Sequence, residues 1–343
     1  MASEVTTQMF REAAEAPERV RLQLVKNRAL MERLASTLRG DAPRAVVTCA
    51  RGSSDHVATF AKYLIETRLG VLTASAAPSI SSVYAAKSDL DGAIFLAISQ
   101  SGASPDLIAA AEAAKSAGAR VLALVNAETS PLAASAHDVI PLHAGDETSV
   151  AATKSFITSL AAVTNLVAEW AADRELLRAL ERAPAQLAAA WELDWSAATR
   201  RLETAQSLYV IGRGVGLGIA QEAALKLKET CGLHAESFSA AELRHGPMAL
   251  VRRGFPAIVF CQDDETRVGI EALAAEIAAQ GADVMLAGAE HPHALNLPAI
   301  ASHPVIEPML LTQSFYRMVN QLAIARGRDP DRPPNLTKIT ETV

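Results

Sequence analysis

The chain is poor in aromatic residues, in cysteine and in long apolar runs, and each shortage excludes a class of protein. Half of the 343 residues are hydrophobic but only 4% are aromatic, a composition that suits close-packed helices covering buried sheets. No apolar run approaches the roughly 20 residues needed to cross a bilayer, so no membrane partner is expected. The three cysteines, Cys49, Cys231 and Cys261, are odd in number and far apart. They are predicted to be small buried residues in a reducing compartment.

Basic residues are also fewer than acidic ones. The formal net charge is −6, and no stretch rich in Lys and Arg offsets it locally, so nucleic acid is not an expected partner. The first residues, Met-Ala-Ser-Glu, lead into a charged amphipathic stretch. They lack the basic start and the apolar segment of a secretory signal. The expected location is therefore the cytoplasm.

The length and the rhythm of the sequence indicate two α/β domains. A chain of 343 residues is longer than one hydrophobic core usually grows, and two domains of about 150 residues each are the natural expectation. β-rich runs at 45–50, 93–99 and 120–126 alternate with helical segments. This alternation predicts parallel strands joined by crossover helices.

The second half of the chain repeats this plan. β-rich runs at 207–213, 257–262 and 283–287 again alternate with helical segments. A long helical stretch over 151–204, broken near Pro184, is predicted between the halves. The predicted organisation is an N-terminal helical segment at 1–40, domain 1 at 41–175, domain 2 at 190–327 and a proline-rich tail at 328–343. A frayed end is the simplest interpretation of such a terminus. The run Asn335-Leu-Thr-Lys338 favours an active-site tail instead, one that holds a functional lysine and contributes no packing.

Two turns rich in serine and glycine follow strands of the first half. Ser99-Gln-Ser-Gly-Ala-Ser104 leads into a helix opened by Pro105, and Arg51-Gly-Ser-Ser-Asp55 leads into the preceding helix. A helix N-terminus carries unsatisfied N–H donors and a partial positive charge, so hydroxyls clustered there suit a phosphate. Ligands of open α/β sheets bind outside the carboxyl ends of the strands, where the two turns are expected to face one another. An ordinary serine cap is the alternative.

A glycine-rich turn opens the second half and invites comparison with dinucleotide-binding sites. Gly212-Arg-Gly-Val-Gly-Leu-Gly218 follows a strand, but Ile219 stands where the third glycine of that fingerprint would be. The first acidic pair beyond the next strand, at 263–264, lies about 50 residues on rather than about 20. No nicotinamide cofactor is therefore predicted. His291 and His293 lack a third ligand nearby, so no metal site is predicted either.

The helix predicted after that turn carries a charged face. Glu222, Lys226 and Glu229 lie four and three residues apart, which places them on one side of the helix. Most such faces are solvated ion pairs, but a carboxylate beside a cation can also move a proton between adjacent carbons. Downstream, His245 precedes Gly-Pro and is expected in a turn. A histidine there is a good candidate for general acid or base work.

Five short motifs in this order stand out together. They are Ser99-Gln-Ser-Gly102, Gly145-Asp-Glu-Thr-Ser-Val-Ala-Ala-Thr-Lys154, Ala224-Leu-Lys-Leu-Lys-Glu229, Glu242-Leu-Arg-His-Gly-Pro247 and Asn335-Leu-Thr-Lys338. In order and spacing they resemble the isomerase half of glucosamine-6-phosphate synthase, and the resemblance covers nearly the whole chain. It implies an α/β fold of two sugar-isomerase (SIS) domains, each a five-stranded parallel sheet between helices.

The resemblance also implies roles for individual residues. The phosphate and sugar contacts would be Gly52, Ser53, Ser54, Ser99, Gln100, Ser101, Ser104, Val150 and Thr337. Glu229 matches the residue that moves the proton between C1 and C2, and Lys226 matches its helix partner. His245 matches the histidine that opens the sugar ring, which the neighbouring subunit of a homodimer contributes to a shared active site. Lys338 matches a tail lysine that forms a Schiff base with the ketose.

Departures from the family pattern shape the expected reaction. The synthase carries an N-terminal glutaminase domain, whereas Met1 and Ala2 lead directly into the isomerase part, so no ammonia source is expected. Ser104 replaces a Thr and Ala152 replaces a Ser, which blurs sugar specificity. We expect deamination of glucosamine 6-phosphate to fructose 6-phosphate and ammonia, without metal or organic cofactor. The alternatives are a fructosamine-6-phosphate deglycase, a galactosamine-6-phosphate deaminase and a non-catalytic sugar-phosphate sensor.

Overall fold

The computed structural model describes residues 6–338, which form two compact units. They are the N-unit, residues 18–147, 155–181 and 337–338, and the C-unit, residues 6–17, 148–154 and 182–336. Each unit is built on one five-stranded sheet whose neighbouring strands all run parallel. The predicted α/β fold of two parallel five-stranded sheets flanked by helices is confirmed.

The sheet of the N-unit has the strand order β2-β1-β3-β4-β5. Its strands are β1 Ala45–Ala50, β2 Thr73–Ser75, β3 Ala93–Ser99, β4 Arg120–Val125 and β5 Asp138–Pro141. The accompanying helices are α2 Ala16–Gly40, α3 Ser53–Leu69, α4 Ser79–Ser82, α5 Pro105–Ser116, α6 Pro131–Ser135 and α7 Lys154–Trp170. Every residue of β3 is buried, because a central parallel strand is covered on both faces and needs a continuous apolar run.

The sheet of the C-unit has the strand order β10-β9-β8-β6-β7. Its strands are β6 Ser207–Gly212, β7 His234–Ser239, β8 Pro256–Phe260, β9 Asp283–Ala287 and β10 Leu295–Leu297. The remaining helices are α1 Gln8–Ala14, α8 Arg174–Trp191, α9 Ser196–Leu202, α10 Gly216–Cys231, α11 Arg267–Ala279 and α12 Glu307–Ala325. Within residues 6–338, no helix combines the length and the apolar composition that crossing a bilayer requires.

Each sheet contains a point where the connections run to opposite sides. In the N-unit β1 pairs with β2 on one edge and with β3 on the other, and in the C-unit β6 pairs with β7 and with β8. At such a switch point the loops after the two central strands diverge and leave a crevice outside their carboxyl ends. In the N-unit those loops are the two serine-rich turns.

The predicted break of the helical stretch at Pro184 is wrong. Helix α8 runs through Pro184, although a proline inside a helix costs about 3 kcal/mol. The buried side of α8, which includes Leu180, Ala183 and Leu187, supplies packing that offsets this cost. The helical stretch is interrupted earlier instead, between α7 and α8. There the Asp173 carboxylate accepts hydrogen bonds from N–H groups in the first turn of α8.

Four strands were not predicted from the sequence. They are β2, β5, β7 and β10, which occupy the two edges of each sheet. Strand β7, His234–Ser239, contains four polar or charged residues with exposed or half-buried side chains and one fully buried residue, so it shows no apolar run. Edge strands are covered on fewer sides, and their sequences carry a weaker signal.

The three cysteines are buried and reduced, as predicted. Burial raises the pKa of Cys49 and Cys261 to about 12 and that of Cys231 to about 11. Because the thiolate is the reactive form, we expect iodoacetamide to label the native protein slowly at pH 7.5 and to label all three thiols rapidly after unfolding. Intact-mass spectrometry counts the labels. Rapid native labelling of any one cysteine would contradict this account.

Candidate active site

The serine-rich turn after β3 is fixed by its own hydroxyls and by a glycine. Ser99 Oγ accepts a hydrogen bond from the Gly102 N–H at 3.0 Å, and Ser101 Oγ accepts one from the Ala103 N–H at 3.3 Å. Gly102 has a φ of +61°, and a Cβ here would lie 2.1 Å from Ser130 Oγ. Only glycine therefore fits without rebuilding the turn.

Hydroxyls at the two helix starts are not used in capping. Ser104 is the N-cap of α5, yet its side chain makes no capping hydrogen bond, so the alternative of an ordinary serine cap is wrong for Ser104. In α3 the N-cap is Gly52, and Ser53 and Ser54 begin the first turn. These three serines are half-buried, which leaves their hydroxyls at the crevice with the first N–H groups of the helices.

The two serine-rich turns lie side by side, as the sequence predicts. The Arg51 guanidinium reaches from the first turn to the Asp106 carboxylate in the first turn of α5, with N–O distances of 2.9 and 2.8 Å. The Asp106 side chain is fully buried, whereas the Arg51 side chain is half exposed. The ion pair therefore ties the turns together and neutralises a carboxylate that would otherwise repel an anion.

Helix α10 carries a buried charged cluster in the C-unit. Lys226 Nζ lies 3.4 Å from Glu222 Oε1 and 2.5 Å from Glu229 Oε2. The side chains of Glu222 and Lys226 are 0% and 1% exposed, whereas Glu229 keeps 19%. The solvated ion-pair interpretation of this face is thus wrong. Only Glu229 of the three presents its carboxylate toward the outside.

The cluster keeps Lys226 charged. Burial alone would lower the pKa of Lys226, but the carboxylates of Glu222 and Glu229 act in the opposite direction, and the pKa is raised above its ordinary value. The Tyr316 hydroxyl of α12 donates a hydrogen bond of 2.9 Å to Glu222 Oε1. Tyr316 was not predicted as a site residue, because its contact links positions 94 residues apart. The arrangement supplies one fixed cation beside one accessible carboxylate.

His245 lies in a turn, as predicted. It follows the 3₁₀ turn Glu242–Arg244 and precedes Gly246, whose φ is +129°. The residue is exposed, and within the described part of the C-unit no hydrogen bond reaches its imidazole. The neighbouring Arg244 is instead paired with Glu276 at 2.7 Å. The imidazole is therefore available to a ligand or to another molecule.

The glycine-rich turn after β6 is packed against the side chain of Gln262. Gln262 Nε2 donates to the Arg213 carbonyl at 2.8 Å. A Cβ on Gly216 would lie 2.4 Å from Gln262 Oε1, and one on Gly212 would lie 2.3 Å from the Gly216 carbonyl. These glycines thus permit close packing of the turn.

Helix α1 holds the segment before Val150. The Glu12 side chain, fully buried, accepts hydrogen bonds from the backbone N–H groups of Thr148 at 2.6 Å and Ser149 at 3.2 Å. Val150 itself is half-buried, and Thr337 is exposed. Glu12 was missed by the sequence patterns because no motif joins it to residues more than 130 positions away. Glu12 therefore fixes the backbone immediately before Val150.

The tail is not a frayed end up to Lys338. The Asp331 carboxylate accepts hydrogen bonds of 2.7 Å from the N–H groups of Gln8 and Met9 at the start of α1, a favourable place for a negative charge. Pro330 and Pro333 are buried. The expectation that the tail holds only the functional lysine is therefore wrong. Truncation after Arg328 would also remove the contact that stabilises α1.

The sequence matches a known domain family, and the fold matches solved structures. The SIS domain model matches residues 41–168 and 201–289. A crystal structure of a candidate phosphosugar isomerase from Silicibacter pomeroyi is 45% identical, covers 95% of this chain and all of that chain, and superposes with a TM-score of 0.90. The C-terminal domain of glucosamine-fructose-6-phosphate aminotransferase from Francisella tularensis is 25% identical with a TM-score of 0.86, covering 97% and 100% of the two chains.

The curated relatives are about one third identical to this chain in sequence. The glutamine–fructose-6-phosphate aminotransferase (isomerizing) of Aeropyrum pernix is 34% identical over 307 residues, which cover 84% of this chain and 49% of the relative. The chain thus spans about half the length of the curated relatives that it matches. The matched regions include both serine turns and helix α10. On the family model and the Silicibacter structure together, the chain belongs to the SIS-domain family.

Proposed function

We propose that this chain is a glucosamine-6-phosphate deaminase, which converts glucosamine 6-phosphate and water to fructose 6-phosphate and ammonia. The observation that carries the proposal is the accessible Glu229 carboxylate held 2.5 Å from the buried Lys226 ammonium. Aldose–ketose conversion moves one proton between C2 and C1, and a fixed carboxylate is suited to take and return it. The names of the relatives, which include a phosphosugar isomerase and an isomerizing aminotransferase, support the same chemistry.

The proposed reaction begins with ring opening by His245. Glu229 then removes the proton from C2 and returns it to C1, while a second proton passes from the amine nitrogen to the C1 oxygen, which converts the amino aldehyde to a 2-imino sugar. Lys226 stabilises the negative charge that develops at the sugar oxygen, since its own charge is secured by two carboxylates. Lys338 attacks C2 and releases ammonia, and water then releases fructose 6-phosphate from the lysine imine.

The serine turns are proposed to hold the phosphate. Gln100, Ser101 and Ser104 from one turn would act with Ser53 and Ser54 from the other, together with the N–H groups at the starts of α3 and α5. Arg51 offsets the charge of Asp106 there. The resemblance to the family assigns C1 and C2 of the sugar to Glu229, His245 and Lys338, with Val150 and Thr337 as further lining.

Replacing Ser101 with alanine tests the phosphate assignment. Loss of one hydrogen bond to a charged group should weaken glucosamine 6-phosphate binding by about 1 to 2 kcal/mol. Binding of unphosphorylated glucosamine, measured by calorimetry in parallel, should change far less. Ser36→Ala, an exposed serine on α2, serves as the control. Equal weakening of both ligands in Ser101→Ala would refute the assignment.

A substrate panel tests the reaction itself. The purified protein is incubated with glucosamine 6-phosphate, galactosamine 6-phosphate and a fructosamine 6-phosphate, and ammonia or amine release is followed by a coupled assay. Glucosamine 6-phosphate should give the highest kcat/KM, with ammonia and fructose 6-phosphate formed in equal amounts. A higher value for another sugar would assign the site to that substrate. Binding of all three sugars without turnover would indicate a sugar-phosphate sensor instead of an enzyme.

A further inference from the structure

Glu147 is a buried carboxylate that lies beside the tail lysine of the N-unit. Its side chain has no exposed surface, whereas the Lys338 side chain keeps 24%. Lys338 Nζ lies 3.3 Å from Glu147 Oε2. The pair therefore joins an enclosed anion to a cation that remains reachable from one side.

The first turn of helix α7 also holds this carboxylate. The Ser155 N–H donates to Glu147 Oε1 at 3.1 Å, and the Ser155 hydroxyl donates to Oε2 at 2.6 Å. Ser155 is the second residue of α7, so both bonds come from the first turn of a helix, where a negative charge is favoured. The carboxylate is thereby held in one orientation, with Oε2 directed at Lys338.

A carboxylate without exposed surface is costly unless its charge is matched and its oxygens are hydrogen-bonded. An uncharged side chain would avoid that cost, although an apolar one would leave the Ser155 N–H and hydroxyl without their acceptor. The ionised side chain therefore has a use that packing does not explain. The cation that it faces across 3.3 Å is the residue to which the proposed reaction assigns the imine.

We infer that Glu147 is the positioning residue of Lys338, which places the amine nitrogen and relays its proton during imine formation. The inference rests on the proposed function, in which Lys338 attacks C2 of the sugar. A lysine ammonium must lose a proton before its nitrogen can act as a nucleophile. Glu147 is in hydrogen-bond contact with that nitrogen and takes the proton.

The steps balance with fructose 6-phosphate as the ketose. Glu147 accepts one proton from the Lys338 ammonium, the nitrogen lone pair forms a bond to C2, and the carbonyl electrons move to oxygen. The nitrogen passes a second proton to that oxygen. Glu147 then returns the first proton to the resulting hydroxyl, which leaves as water while the C2–N double bond forms. An ammonium and a carbonyl have become a protonated imine and one water.

Reductive trapping of the imine tests this role. Wild-type protein is mixed with fructose 6-phosphate and sodium borohydride at pH 7.5, and peptide mass spectrometry follows the reduced sugar adduct on Lys338 over time. Glu147→Gln should form the adduct about a hundredfold more slowly, the scale of a lost general acid–base contribution. Its Kd for fructose 6-phosphate should change less than about threefold, below the effect of one lost bond to a charged group.

Matched variants separate charge, size and fold. Asp146→Asn removes one charge from the exposed neighbour and should trap at the wild-type rate. Lys338→Arg keeps the positive charge but cannot form an imine, so it should give no adduct. If Glu147→Gln does not fold, the pair Glu147→Asp and Glu147→Asn, which differ in charge but not in size, should differ at least tenfold in trapping rate.

The outcomes distinguish the inference from the proposed function. Suppose that the wild type forms the adduct on Lys338. If folded Glu147→Gln, or both Glu147→Asp and Glu147→Asn, then trap the sugar equally fast, only the role of Glu147 is overturned. A wild type that binds fructose 6-phosphate but yields no adduct would overturn the imine step itself. A parallel loss of affinity and trapping rate in Glu147→Gln would make Glu147 a binding residue, which also contradicts the inference.

Discussion

Replacing Glu229 with glutamine is expected to lower the kcat for glucosamine 6-phosphate by about a hundredfold or more, the scale usual for loss of a general base. Glutamine has nearly the same size as glutamate but cannot accept a proton at C2. The Kd for the substrate should change little, because the proposed phosphate contacts lie in the serine turns. Stopped-assay turnover and calorimetric binding, measured on the same preparation, separate the two quantities.

The variant should also fold, for a reason that lies in the cluster on α10. Lys226 is almost fully enclosed, and an unpaired buried cation would be strongly destabilising. In Glu229→Gln, however, Glu222 still lies 3.4 Å from Lys226 Nζ and is itself held by the Tyr316 hydroxyl. The buried charge therefore stays matched. Glu222→Gln should be the more destabilising of the two variants in thermal unfolding.

An exposed ion pair of the same spacing provides the control. Glu18 and Arg21 on α2 lie three residues apart, as Lys226 and Glu229 do, but their side chains are 62% and 58% exposed. Glu18→Gln should leave both turnover and the melting temperature near the wild-type values. If Glu229→Gln behaves like Glu18→Gln in turnover, Glu229 has no part in the reaction.

The sequence predicted those parts of the fold that depend on local signals. Strands β1, β3 and β9 were predicted with their correct limits, because each is a short apolar run between turn residues. The serine turns were predicted to adjoin one another from the geometry of parallel sheets alone. Pro184 was misjudged because its local signal opposes the helix, while the packing that stabilises α8 comes from residues distant in sequence.

The site was predictable where a motif holds several of its residues within one turn or helix. Glu222, Lys226 and Glu229 share one face of α10, so their spacing revealed the cluster, although not its burial. Tyr316 and Glu12 each act on residues more than 90 positions away. No period or spacing encodes such contacts. Glu147 stood within a recognised motif, but only the structure shows that it faces Lys338.

The remaining large effect concerns His245 and the oligomeric state. We propose a homodimer in which each active site takes Glu229 from one subunit and His245 from its partner. The support is the exposed imidazole of His245, which no residue in the described part of the C-unit engages by a hydrogen bond, and the resemblance of residues 242–247 to the family motif. His245→Ala alone should lower kcat by about a hundredfold, as loss of an acid–base group does.

Mixing inactive subunits decides whether the site is shared. In a mixed dimer of Glu229→Gln and His245→Ala, one site loses both groups while the other receives an intact Glu229 from the second subunit and an intact His245 from the first. Random exchange at equal concentrations makes half of the dimers mixed, so about a quarter of the wild-type activity should return. Differently tagged subunits and native mass spectrometry verify the exchange. If exchange is complete and the activity stays at the level of the single variants, each His245 serves its own subunit, because then every site in the mixture lacks one of the two groups.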